Sequence, residues 1–191
     1  MTSENPKPLY YCHSVHDSSP FLGGCGGIDI NRYAGLKPQF DLYSYFEGTT
    51  RGWGMVLNRQ GAMTRQFTVD IVGSVNDEGN MVLDEQFLWN DGKRERRVWT
   101  IRRAADGRYF GTASDVVGEA DGVSSGNALW WKYTLALDLD GSTWDIGFSD
   151  WMFLQPDGVL LNRAQMSKFG IRVGEVIISF KKQEPTRPGS E

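Results

Sequence analysis

Two groups of residues in this chain are of types that could do chemistry. The first is Cys12, His13, His16 and Cys25, which are all the cysteines and histidines of the sequence. Adjacent Cys and His rarely converge on one ion, so no metal site is expected from them. Leu22-Gly23-Gly24-Cys25 has the form of the four-residue box that precedes a lipid-modified cysteine. Such a box normally ends a signal peptide with an apolar stretch of about 7–15 residues. The residues before Leu22 read "CHSVHDSSPF", which cannot partition into a lipid phase. The expectation is an altered or misassigned start. A longer precursor would then deliver an envelope lipoprotein, anchored through Cys25 and facing the periplasm, whereas a true start at Met1 would leave a cytoplasmic protein. From Gly26 onward there is neither His nor Cys. Within that region, imidazole acid–base chemistry, His- or Cys-ligated haem or zinc, and thiol nucleophiles are excluded. Chemistry there rests on Asp, Glu, Lys, Arg, Tyr and Ser, and no cofactor is expected.

The second group is Glu85, Arg97, Tyr133, Asp150 and Asn162, polar side chains that fall on otherwise apolar faces. Their placement depends on strands, which the sequence signals by alternation. In "TRQFTVDIV", Phe67, Val69 and Ile71 alternate with polar neighbours. In "NALWWKYTLALDLD", Leu129, Trp131, Tyr133, Leu135 and Leu137 share a face. In "STWDIGFSDWMFL", Trp144, Ile146, Phe148 and Met152 do so, and Asp150 lies in line with them. A period of two with one apolar side is the mark of a half-buried strand.

One hairpin can be registered from its turn. In "FLWNDGKRERRVWTI", a two-residue Asp91-Gly92 turn would set Met81 and Leu83 against charged or polar partners. A three-residue Asn90-Asp91-Gly92 loop, with Gly92 left-handed, sets Leu83 against Trp99 and Met81 against Ile101. A slip of one residue turns every side chain over, so the three-residue loop is expected. Glu85 then stands opposite Arg97, both on the apolar face, while the rest of "KRERR" is read as a solvated face. A charge moved into an apolar interior costs several kcal/mol unless it is paired. Two readings follow: a Glu85–Arg97 pair that fixes register, or a polar spot in a cavity where Arg97 and its neighbours hold a ligand's head. On the second reading the binding residues are Glu85, Arg97, Trp99, Trp131, Tyr133, Phe148, Asp150 and Asn162. Nothing local marks a catalytic residue, although Glu85 and Asp150 could in principle form an acid–base pair.

Length and composition set the frame for these residues. A chain of 191 residues, 40% hydrophobic and 13% aromatic, is long enough for one domain with a sizeable core. A net charge of −4 argues against nucleic acid as a partner. No run approaches the ~18 apolar residues of a membrane-spanning helix. Turn signals such as Asn76 to Asn80 and Gln155 to Gly158 punctuate about ten strands, near 51–57, 64–75, 81–89, 93–103, 108–114, 116–124, 127–138, 142–154, 159–166 and 171–181. "FDLYSYFEG", from Phe40, suits a short helical turn capped by Asp41. Short connections at even spacing predict an all-β protein, an antiparallel up-and-down β-barrel of about eight to ten strands. The expected organisation is a flexible leader over 1–27, a barrel over 28–182 and a disordered tail over 183–191.

Four stretches, "FDLYSYFEGTTRGWGMV", "RRVWTI", "DVVGEADG" and "SDWMFLQPDGVLLNRAQMSKFGIRVGEV", carry a resemblance over about residues 30–181. They resemble a bacterial lipocalin-like group, domain-of-unknown-function family 3833, whose members are typically predicted lipoproteins. The resemblance implies a lipocalin-like barrel, and a lipid anchor where Cys25 matches the modified cysteine. It supplies no catalytic residues. A barrel of this size encloses space that side chains do not fill. The expected partner is therefore an apolar or amphiphilic small molecule, a fatty acid or envelope lipid, bound in support of fatty-acid or membrane-lipid modification. The rivals are a cofactor-independent isomerase or hydratase acting on a modified acyl chain, and an accessory subunit with a filled barrel.

Overall fold

Alternation broken by Gly-containing turns builds the chain into a meander. The computed structural model describes residues 28–139 and 141–184. Cys25 and the rest of 1–27 lie outside the described residues, as do Asp140 and the tail from 185. Ten strands follow in order: β1 (Gly48–Asn58), β2 (Met63–Val75), β3 (Met81–Trp89), β4 (Arg94–Arg103), β5 (Arg108–Thr112), β6 (Ala120–Ser125), β7 (Ala128–Leu139), β8 (Ser142–Leu154), β9 (Leu160–Lys168) and β10 (Ile171–Lys182). Each pairs antiparallel with its neighbours in sequence, and β1 also pairs with β10, so the sheet closes into a barrel. Closure removes the exposed edges that an open sheet must protect.

The β3–β4 hairpin takes the expected register. Glu85 pairs with Arg97, Leu83 with Trp99 and Met81 with Ile101. Gly92 closes the loop at φ 84°, a conformation that costs a glycine little. The next stretch departs from expectation. A continuous strand over 116–124 reads well in sequence, but β6 starts at Ala120, and Val116 makes only an isolated bridge to Leu135. Gly118, at φ 74°, bends the chain between them. Lys93 and Glu95 differ in part. They share the parity of Arg97 and border the barrel's cavity near its open end, where Lys93 stays as exposed as expected and Glu95 is half-buried. Trp144, expected inside, sits near the start of β8 and remains 41% exposed.

Inward side chains make the core: Phe67, Val69 and Ile71 of β2, Met81 and Leu83 of β3, and Trp99 and Ile101 of β4 are all buried. One end of the barrel is stoppered by a five-residue helix, α1 (Leu42–Phe46), with Asp41 as its N-cap. Asp41 accepts from the Ser44 backbone N–H at 2.9 Å, satisfying one of the free donors of the first turn. The hydroxyl of Tyr45 donates to the Phe180 carbonyl at 3.1 Å, and that of Tyr43 to the Ile101 carbonyl at 2.8 Å. Lys182 closes the other end of the helix, donating to the carbonyls of Ser44 and Glu47. A 3₁₀ turn, Ile30–Tyr33, lies outside the barrel, where Tyr33 packs edge-on against Trp151 and Phe153.

Candidate functional site

All eight inward residues named from the sequence line one cavity inside the barrel, of about 570 Å³. β3 supplies Glu85, β4 Arg97 and Trp99, β7 Trp131 and Tyr133, β8 Phe148 and Asp150, and β9 Asn162. They converge because strands of matched parity wrap one axis. Trp131 pairs with Asp150 and Tyr133 with Phe148 across β7–β8, while Asp150 pairs with Ala164 across β8–β9. The floor is the α1 end, reached by Leu42 and Phe46, and the far end carries Arg65, Lys93, Glu95 and Asp138. Both cations there are already held, Arg65 by Asp91 at 3.0 Å and Lys93 by Glu95 at 2.7 Å.

The polar side chains divide into two clusters. In the first, Arg97 donates through Nε and Nη2 to the Asp115 carboxylate at 2.8–3.1 Å, whereas its approach to Glu85 is 3.8 Å. Asp115 belongs to the segment between β5 and β6, and its carbonyl accepts from the Ala136 backbone N–H, which fixes the segment on β7. Burial works against the Arg97 charge, but the Asp115 hydrogen bonds and the Glu85 charge outweigh it and hold the guanidinium above its ordinary value. Burial pushes the Glu85 carboxyl up to about 7, against the opposing pull of Arg97.

The second cluster is Asp150, Tyr133 and Asn162. The Tyr133 hydroxyl donates to Asp150 Oδ2 at 3.2 Å. Asp150 is 5% exposed and Asn162 3%. Asp150 Oδ1 and both amide atoms of Asn162 lack a hydrogen-bond partner, three of six such buried side-chain atoms among the described residues. Burial pushes Asp150 up to about 7 despite the Tyr133 hydroxyl and the neighbouring Asn162 amide. The same burial, with the Asp150 charge beside it, holds the Tyr133 phenol well above its usual value. Aromatic rings enclose the cluster: Tyr133 stacks on Phe148 at 5.0 Å and meets Trp99 edge-on at 5.4 Å. The arrangement can accept hydrogen bonds, hold a proton near neutral pH and cover an apolar body.

A larger hollow of about 790 Å³ lies mostly on the outer wall, among Trp53, Met55, Trp151, Leu161 and Ile177. No buried ionisable side chain lines it, so the inner cavity is the candidate site.

A family described as "Protein of unknown function (DUF3833)" matches residues 19–182. The chain belongs to that family. Among solved structures, it is similar to a protein with unknown function from the DUF3598 family of Nostoc punctiforme, with a TM-score of 0.56 and 11% identity. That match covers 77% of this chain and 51% of the other, so the chain spans about half the length of that protein. At this identity the likeness shows the fold alone. No curated protein matches.

The residue that sequence reasoning missed in this DUF3833 barrel is Asp115. Its one signal is the triplet Ala113-Ser114-Asp115, polar at its last two positions, ahead of Val116. That triplet marks a break but gives no direction to the side chain.

Proposed function

We propose that this protein binds an apolar or amphiphilic small molecule within its barrel. The observation that carries this reading is a 570 Å³ cavity walled by aromatic side chains with a few unsatisfied polar atoms at one spot. Ligand sites typically have that size and that balance. A filled barrel, as in the accessory-subunit reading, would leave no such space. The finer form, an acyl or alkyl chain lying along Trp99, Trp131 and Phe148, is supported by their position on the cavity wall. Mass spectrometry of small molecules co-purifying with the native protein, before and after organic extraction, tests it. A chain-bearing ligand removed by extraction is the expected result, and an empty barrel that takes up no added amphiphile would end the reading.

A second reading has one observation in its favour. Glu85 and Asp150, both near 7, suit general acid–base work on a bound chain. Turnover of an unsaturated or cyclopropane fatty acid, abolished in a folded Asp150→Asn variant, would make the protein an enzyme.

We also propose a lipid anchor at Cys25. In support, the family match begins at residue 19 and so takes in the whole Leu22–Cys25 box. Expressed behind an export leader, the protein should take up labelled palmitate, and Cys25→Ser should abolish the label.

A further inference from the structure

The ionisable groups deep in the cavity wall are out of balance. Glu85, Asp115 and Asp150 are three carboxyls, and Arg97 is the single guanidinium among them. Arg97 is engaged by Asp115 and faces Glu85 as well, so its one charge is already answered twice. An anionic head group would bring a further negative charge into this space. A cation would relieve the excess.

The unpartnered atoms point the same way. Asp150 Oδ1 is an acceptor with no donor, and Asn162, 3% exposed, offers an amide oxygen with none either. An ammonium group carries only donors. Its donors would serve the Asp150 carboxylate and, with the Asn162 amide turned oxygen-inward in place of its present approach to that carboxylate, the amide oxygen as well. The rings of Tyr133 and Phe148, stacked on each other, and of Trp99, edge-on to Tyr133, wall the same cavity and suit the apolar body that carries the charge.

We propose that the barrel's ligand is an organic cation, a protonated amine on an apolar body, whose nitrogen is held by Asp150 and Asn162. This rests on the carrier reading above and names the head group that it left open. It departs from a fatty acid, whose carboxylate would join three others.

A consequence of the geometry is pH dependence. The groups facing the bound nitrogen are Glu85 on β3, Arg97 on β4, Asp115 before β6, Tyr133 on β7 and Asp150 on β8. Burial makes Asp150 and Glu85 reluctant to ionise. Amine binding must draw protons off them, so affinity rises from pH 5.5 to pH 8 while the amine stays charged.

The test uses the full chain and three probes of equal length: n-octylamine, n-octanol and n-octanoate, followed by calorimetry and tryptophan fluorescence. At pH 7.5 octylamine should bind at least about tenfold more tightly than octanol, with octanoate weakest, since hydrogen bonds to charged groups exceed neutral ones by about that factor. Asp150→Asn should bring the amine-to-alcohol ratio close to one. Asn162→Leu should lower amine affinity with the carboxyl intact. Octanoate binding as tightly as octylamine, or a ratio unmoved by a folded Asp150→Asn, overturns the amine assignment and leaves the carrier reading standing. The wild-type ranking decides the matter should either variant fail to fold. Failure of all three probes, and of their dodecyl homologues, overturns the carrier reading itself.

Discussion

At the scale of single residues, the interior charges are held by one strong pair and several weaker relations. Arg97 bonds Asp115 bidentately and stands 3.8 Å from Glu85, so a double-mutant cycle should find the larger coupling with Asp115. Arg97→Met strands two carboxyls, a loss on the order of 3–5 kcal/mol. Adding Asp115→Asn should recover more of it than adding Glu85→Gln, measured as urea midpoints; the reverse order would make Glu85 the principal partner. Glu85 and Asp150 lead to a second expectation. Both sit at about 7 in the folded chain, above the ordinary value of about 4 for an exposed carboxyl. The fold therefore holds their protons more tightly than the unfolded chain does. Their contribution to stability is full below pH ~4 and is lost as pH rises through ~7. Asp84, held low by its hydrogen bond from Arg96, and Asp91, held low by the Lys93 backbone N–H, act only below that window. Thermal melts should fall from pH 5 to pH 8 and change little above. Asp150→Asn should flatten that slope, and a wild-type melt that rises over the interval would refute the assignment.

At the scale of elements, α1 is the part most exposed to small changes. Its seat depends on the absence of a side chain at Gly73, where a Cβ would stand 1.9 Å from the Phe46 carbonyl oxygen. Backbone cannot yield as a flexible side chain does. Gly73→Ala should unseat the helix at a cost of about 1–3 kcal/mol, the usual penalty for overpacking. It should also speed hydrogen exchange at Tyr45 and Phe46 more than at β7; uniform exchange would show that the helix had moved without loosening. This element and the ten strands were legible in the sequence because each rests on local signals. Asp41 three residues before Ser44 marks the cap, and alternation between Gly turns marks the strands. The Glu85–Arg97 register was legible because only one loop length kept apolar faces together. The break in β6 was not, since Val116 and Val117 are good strand residues and the competing influence lies in β7, which takes the 115–117 segment as a side contact. Asp115 was missed with it: no local pattern says that a loop carboxyl will meet a guanidinium 18 positions earlier.

At the scale of the whole molecule, closure makes the cavity. Nothing local in β1 or β10 announces their partnership, yet Thr50 to Asn58 pairs with Lys182 to Gly174 throughout. That seam converts a curved sheet with one apolar face into a container. Its volume sets a limit that can be measured without reference to any charged head. In a series of n-alcohols, each methylene that enters the cavity should add about 0.8 kcal/mol, roughly fourfold in affinity. The increments should stop abruptly once 570 Å³ is filled, because a closed barrel does not stretch as a surface groove does. Trp99 and Trp131, each 5% exposed and both on the cavity wall, should report the event as a fluorescence change that Trp99→Phe reduces. Binding should carry a negative heat-capacity change that grows with chain length to the same stopping point. Affinity that keeps climbing past that point would place the chain in the outer hollow among Trp53, Met55 and Leu161 instead. In that case Trp53→Ala should weaken binding, and Trp99→Phe should leave both the affinity and the signal untouched.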